Sequence, residues 1–226
     1  KCIYRNIFRI KLTGVKIMTL TQKKTLTTML VVLCALLLIV VLSACNPTQA
    51  QKEQAVRDYG EAKAYNKTSS GVIKHLSDGT KSYYIPTTVT GEYKTVSEYA
   101  IAKANTLTSA ITINTTTSSS SSYKYAVVDT HSENWNAYNT TSSNSTTGVI
   151  SSSTITYIKS ALNSKNLQYK KHTALHEMGH TFGLGHIEAD EMRSWTVMIS
   201  PHPAAKYELD DYSEFDRYNI TWQYGE

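Results

Sequence analysis

Cysteine is scarce in this chain. Cys2, Cys34 and Cys45 are the only three in 226 residues, and none follows Cys45. A disulfide within residues 46–226 is therefore excluded, so any fold there rests on its apolar core. Acidic residues are missing from the first 45 positions, which carry seven basic ones. An apolar run of membrane-spanning length is also missing. Met29–Leu42 has 14 residues, whereas a spanning helix takes about 20. No internal repeat is apparent.

That short run sits behind Lys23 and Lys24, as in the hydrophobic region of a signal peptide. It ends in Leu42-Ser43-Ala44-Cys45, which resembles a bacterial lipobox. The resemblance implies cleavage before Cys45 and lipidation of its thiol. The chain is then exported and held to the outer face of the cell membrane. Two acyl chains anchor stably where one is marginal. An ordinary signal peptide with secretion, or a retained membrane anchor, are the alternatives. Residues 1–17 lack methionine, and Met18 is the expected start. The expected organisation is an upstream segment and signal peptide over 1–44, a lipidated cysteine and polar tether over 45–71, and one folded domain over 72–226.

Processing reverses the charge. All 18 acidic residues follow Cys45, against 16 of the 23 basic ones, so the processed chain is mildly acidic. Nucleic-acid binding, which draws on a basic surface, is excluded as an expectation. From His186 onward, nine carboxylates face only Arg193, Lys206 and Arg217. A solvated surface accounts for this tail. Structural calcium (Ca2+) and a preference for basic substrates are the functional alternatives.

What is present is concentrated in His176–His186, which reads HEMGHTFGLGH. Residues four apart stack on one helix face, about 6 Å along the axis. His176 and His180 can thus aim both imidazoles at one ion. Glu177 stands about 100° round the helix, within reach of a water there. His186, ten residues on from His176, reaches the same point only if the chain turns back, and Gly183 tolerates the left-handed backbone of such a turn. Three imidazoles with an open fourth position suit a catalytic zinc (Zn2+) rather than a closed structural one. Ala174, Leu175, Met178 and Phe182 form the apolar stripe that seats the helix. Stray histidines at an exposed helix end are the bland alternative. His172 is a rival ligand, but the Gly183 turn favours His186. His131 and His202 read as surface residues, and His75 has no context.

The spacing HExxHxxGxxH resembles that of the metzincin zinc peptidases. That family carries a methionine turn beneath the metal, and Trp195-Thr196-Val197-Met198 fits it. Asp216, Ile220, Tyr224 and Gly225 are similar to the closing helix of the matrixin branch. Ile187, directly after the third histidine, matches no branch. Ser200 replaces the tyrosine that some branches use as an extra ligand. The resemblance covers about residues 72–226. It implies an α+β, zincin-like catalytic domain. This has a twisted, mostly parallel five-stranded sheet with an antiparallel edge strand, an active-site helix and a C-terminal helix. It implies a zinc metalloendopeptidase, monomeric, acting on protein or peptide substrates through zinc-activated water with Glu177 as general base. The implied roles are zinc ligation by His176, His180 and His186, an apolar floor from Met198, and a pocket wall at Pro201. A zinc-binding lipoprotein without peptidase activity and a zinc amidase acting on cell-wall material remain the alternatives.

Local pattern supplies the elements. Ser82–Ile85, Ala110–Asn114 and Tyr123–Asp129 read as strands. Val96–Leu107 reads as a helix with Ser97 as cap. The eight Ser/Thr of 115–122 and the polar stretch 129–147 read as loops. Gly148–Ser151 and Thr154–Ile158 read as the fourth and fifth strands, and the zinc helix starts near Gln168. In the family plan the fourth strand pairs with extended substrate, which assigns Gly148, Val149 and Ile150 to substrate binding.

Overall fold

In the computed structural model the described residues are 64–188, 192, 194–200 and 208–225. The segment expected to be a signal peptide, Cys45, Pro201 and His202 lie outside them. Five strands form one sheet: β1 (Gly79–Tyr84), β2 (Ile111–Thr116), β3 (Tyr123–Val128), β4 (Ala137–Ser143) and β5 (Ile150–Ile158). Among the described residues four helices are interleaved: α1 (Gly91–Ala104), α2 (Lys159–Leu162), α3 (Leu167–Thr181) and α4 (Glu214–Tyr224). The α+β class and five-stranded mixed sheet expected from the sequence are those observed. The spatial order is β2-β1-β3-β5-β4. All neighbours run parallel except β4, which pairs antiparallel with β5. Among the described residues, no helix is long and apolar enough to cross a membrane.

The strands alternate as half-buried strands must. Tyr83, Ile111, Ile113, Tyr125, Ile155 and Tyr157 share the buried face. Parallel register sets Tyr125 beside Ile155 and Tyr123 beside Ser153, so tyrosines stack across the sheet. Helices α1 and α3 pack on each other over that face. Lys170 of α3, nearly buried, reaches Glu92 of α1 at 2.5 Å.

Three expectations need correction. Ser97 is not a cap. The first helix starts six residues earlier, after Thr90, and Ser97 lies buried in mid-helix, where its hydroxyl donates to the Tyr93 carbonyl at 2.8 Å. Residues 129–147 are not all loop, because β4 runs through them. Gly148–Ser151 is not a separate edge strand. Positive-φ Gly148 ends the turn, and Ile150 begins β5, one place in from the edge. Ile150 is fully buried, and its N–H donates to His75 rather than facing a partner.

Candidate metal centre

Helix α3 carries the first two histidines. Asn166 caps it, its side chain accepting from Tyr169 N–H at 2.8 Å. Ala174, Leu175 and Met178 are fully buried, which fixes its rotation on the core. His176 and His180 then lie together on one face, ring centroids 4.8 Å apart.

The helix stops in a Schellman turn. Leu184 N–H returns to Gly179 O and Gly183 N–H to His180 O, with Gly183 at φ +89°. A Cβ on Gly183 would meet the Lys74 carbonyl oxygen at 1.9 Å, so both conformation and space call for glycine. The turn is clamped from outside. Asn66 N–H donates to Gly183 O and Gly185 N–H to Ala64 O, both at 2.7 Å. Tyr224, closing α4, donates its hydroxyl to Phe182 O at 2.8 Å. Residues 64–71, assigned from sequence to the tether, therefore begin by packing on the metal-site turn, with Ala64 and Tyr65 buried.

The turn brings His186 back. Its Nε2 lies 3.1 Å from Nε2 of His176 and 3.0 Å from Nε2 of His180. The outer ring nitrogens are occupied. His176 Nδ1 donates to Val197 O at 2.7 Å, and His180 Nδ1 to Leu184 O at 2.8 Å. A carbonyl only accepts, so Nδ1 bears the proton and each Nε2 lone pair faces the common centre. Outer-shell bonds of this kind orient metal-ligating histidines.

These residues fit a zinc ion. Nitrogens placed tetrahedrally about zinc at the usual bond length stand about 3.3 Å apart. All three ligand atoms fall within 4.8 Å of one another. The electrostatics agree. Burial, then the charges of its neighbours, holds His176 well below the usual imidazole range and His180 down at about 4. His186 is lowered by burial as well. All three are thus neutral ligands at pH 7.

Glu177 is 5% exposed, and burial pushes its carboxyl up to about 8. It opens, with the three histidines, onto a cleft of about 760 Å³ whose far wall is β4. Lys74 and Trp135 also line it. Asn139 of β4 ties wall to helix, donating to the Glu177 carbonyl at 2.7 Å and to Thr181 Oγ1 at 2.9 Å. Ser153 and Tyr83 complete that buried network.

Behind the histidines lies the Met198 turn. Asp216 of α4 accepts from Thr196 Oγ1 at 2.5 Å and from Val197 N–H at 3.1 Å. The same Asp216 forms a capping box with Ser213. Met198 O accepts from Ile187 N–H, and Ile187 O from Ser200 N–H, both at 2.9 Å. Ile187, which fitted no branch of the family, is a buried link between the third histidine and this turn.

The structure brings together His176, Glu177, His180, His186 and Met198. It leaves Gly148, Val149 and Ile150 off the cleft wall, at the turn into β5, because the edge position belongs to β4. His172 is fully buried, its Nδ1 accepting from Leu209 N–H at 2.9 Å, and it is outside the metal group. Sequence reasoning missed Asn66, Asn139 and the Val197 carbonyl. Asn139 carried no signal beyond lying in a polar stretch, and the other two act through backbone or across long sequence separations.

No family model matches the chain, and no curated protein matches it. Among solved structures it is similar to two of myroilysin. One aligns with a TM-score of 0.44 at 13% identity, covering 68% of this chain and 96% of the other. The second has a TM-score of 0.45 at 14% identity, covering 68% and 86%.

Proposed function

We propose that this chain is a zinc-dependent endopeptidase with a zincin-like catalytic domain of the metzincin type, nearest its matrixin branch. Cys45 anchors it to the outer face of the cell membrane, where it acts as a monomer. The observation that carries the reading is the convergence of three Nε2 atoms beside a buried glutamate in a cleft walled by an edge strand. A bound zinc supplies Lewis-acid polarisation of a carbonyl and acidifies a water. The chain's own residues do the rest. His176, His180 and His186 hold the ion as neutral ligands. Glu177 takes the proton of the attacking water and delivers it to the leaving amine. Strand β4 is the edge of the sheet, and an extended peptide adds to such an edge by backbone hydrogen bonds. Asn139 keeps the Glu177 turn of α3 at a fixed distance from that rail.

The test is zinc content and peptide cleavage together, on wild type beside Glu177→Gln. One zinc in both, with chelator-sensitive cleavage in wild type only, supports the reading. One zinc in both and no cleavage of a broad peptide library replaces it with a metal-binding surface protein.

A further inference from the structure

Three rings meet where the cleft wall begins. Trp135 stacks on His131 with centroids 5.0 Å apart and planes 17° from parallel. Tyr138 closes on both, at 5.0 Å from His131 and 6.0 Å from Trp135. The group is held from its flanks. His131 Nδ1 accepts from Glu133 N–H at 3.1 Å, and Asn136 O accepts from Ile158 N–H at 3.0 Å. Trp135 is nevertheless 48% exposed, stands outside the core cluster and lines the cleft that contains the three histidines. A large indole kept rigid yet open adds little to the core. It offers apolar area at low entropic cost, as binding hot spots do.

Position sets what it can touch. Asn139 marks the catalytic level of β4, because its amide reaches the Glu177 carbonyl. Trp135 lies four residues earlier, two residues before β4 begins and across a bend at Asn136, so the two are at most about 13 Å apart. A peptide lying on β4 covers that distance in no more than about four of its own residues.

We propose that Trp135, braced by His131 and Tyr138, is a specificity-determining residue of the cleft. It packs against an aromatic or long aliphatic side chain of an extended peptide, within about four residues of the bond to be cut. The proposal rests on the peptidase reading for its reaction, but not for its binding.

The test uses the zinc-loaded full chain and peptides differing at one position, scanned from the second to the fifth residue on each side of the cleaved bond. Phenylalanine should raise kcat/KM over alanine about tenfold at one distal position on one side only. The ratio should fall to about one in Trp135→Ala and largely return in Trp135→Phe, with equal zinc content in all three. A ratio near one at every distal position in wild type, or an unchanged ratio in Trp135→Ala, overturns the proposal. Calorimetric binding of the same two peptides to Glu177→Gln, with and without Trp135→Ala, separates the two hypotheses. With no cleavage of any peptide, tighter Trp135-dependent binding of the phenylalanine peptide keeps the bracket and discards the peptidase. Equal binding discards both.

Discussion

Met198 occupies the space that a side chain at Gly179 would need. A Cβ there would stand 2.4 Å from Met198 Sδ and 3.3 Å from its Cε. Gly179 immediately precedes His180, and Met198 shares a backbone hydrogen bond with Ile187, which immediately follows His186. With His176 Nδ1 donating to the Val197 carbonyl, the methionine turn is thus in contact with the chain at all three histidines.

Gly179→Ala should therefore do more than overpack. Met198 is 2% exposed, so its thioether can give way only by shifting within the interior. The expected cost is about 1–3 kcal/mol of stability. The shift it forces passes along the Met198–Ile187 pair, so zinc affinity should fall at least tenfold. Competition with a chromogenic chelator reads the affinity, and unchanged affinity would show that the methionine turn and the ligands move independently. Gly183→Ala meets backbone rather than a side chain and should fail to fold or to bind metal.

The site was legible in the sequence to the extent that it is local. Helix period, the apolar stripe and Gly183 all act within sixteen residues, and they predicted α3 and its turn closely. Strand β4 was hidden because its sequence, Ala137–Ser143, is almost entirely polar. An edge strand buries one face only, and here that face holds Asn139 and Thr141 instead of aliphatic residues. The fourth and fifth expected strands overlap a single strand, β5, which runs on through Ser152 and Ser153, the two polar residues left between them. In the structure Ser153 is fully buried and bonded to Asn139 and Thr181. The Ala64–Asn66 clamp was illegible for another reason. It pairs with residues more than a hundred positions away through isolated bridges, which leave no periodicity behind.

Asp216→Ala should loosen the same turn from below. The carboxylate accepts from Thr196 Oγ1, Val197 N–H and Ser213 N–H. Truncation leaves two buried donors and one half-buried donor without that acceptor and removes half of a capping box. A loss of about 3 kcal/mol is expected. Asp216→Asn keeps one acceptor oxygen and should cost less. Urea midpoints measure both, and an Asp216→Ala midpoint equal to wild type would contradict the role given to this residue.

Glu177→Gln should separate function from stability. General acid–base groups contribute about 10²–10⁴-fold, so cleavage should fall by at least that range. Stability of the metal-free protein should move the other way. Burial raises Glu177 from 4.5 to about 8, so its ionisation opposes folding increasingly as pH rises from 4.5 to 8. Glutamine removes that opposition, and the metal-free variant should melt several degrees higher than wild type at pH 8. The advantage should vanish below pH 4.5. Calorimetric melts at pH 4 and pH 8 decide, and a variant less stable at pH 8 would sink this account.

Acid should release the metal and weaken the fold in the same pH window. The three histidines have folded-state pKa values below the ordinary 6.5, that of His180 at about 4, chiefly through burial. A lowered histidine pKa means that the folded state binds fewer protons than the unfolded one. The stability contributed by neutral imidazole is then complete above pH 6.5 and disappears as pH falls from 6.5 to about 4. For His180 the gap corresponds to about 3 kcal/mol in the metal-free protein. With zinc present, protons compete for the same lone pairs, so affinity should drop steeply with pH across this window. Zinc retained after dialysis at steps from pH 7 to pH 4.5 gives the first curve, and urea midpoints of the chelated Glu177→Gln protein, which lacks the opposing titration of Glu177, give the second. His180→Ala should bind zinc weakly at every pH and flatten the second curve. Full zinc retention at pH 4.5 in the wild type would mean that these imidazoles are not the ligands.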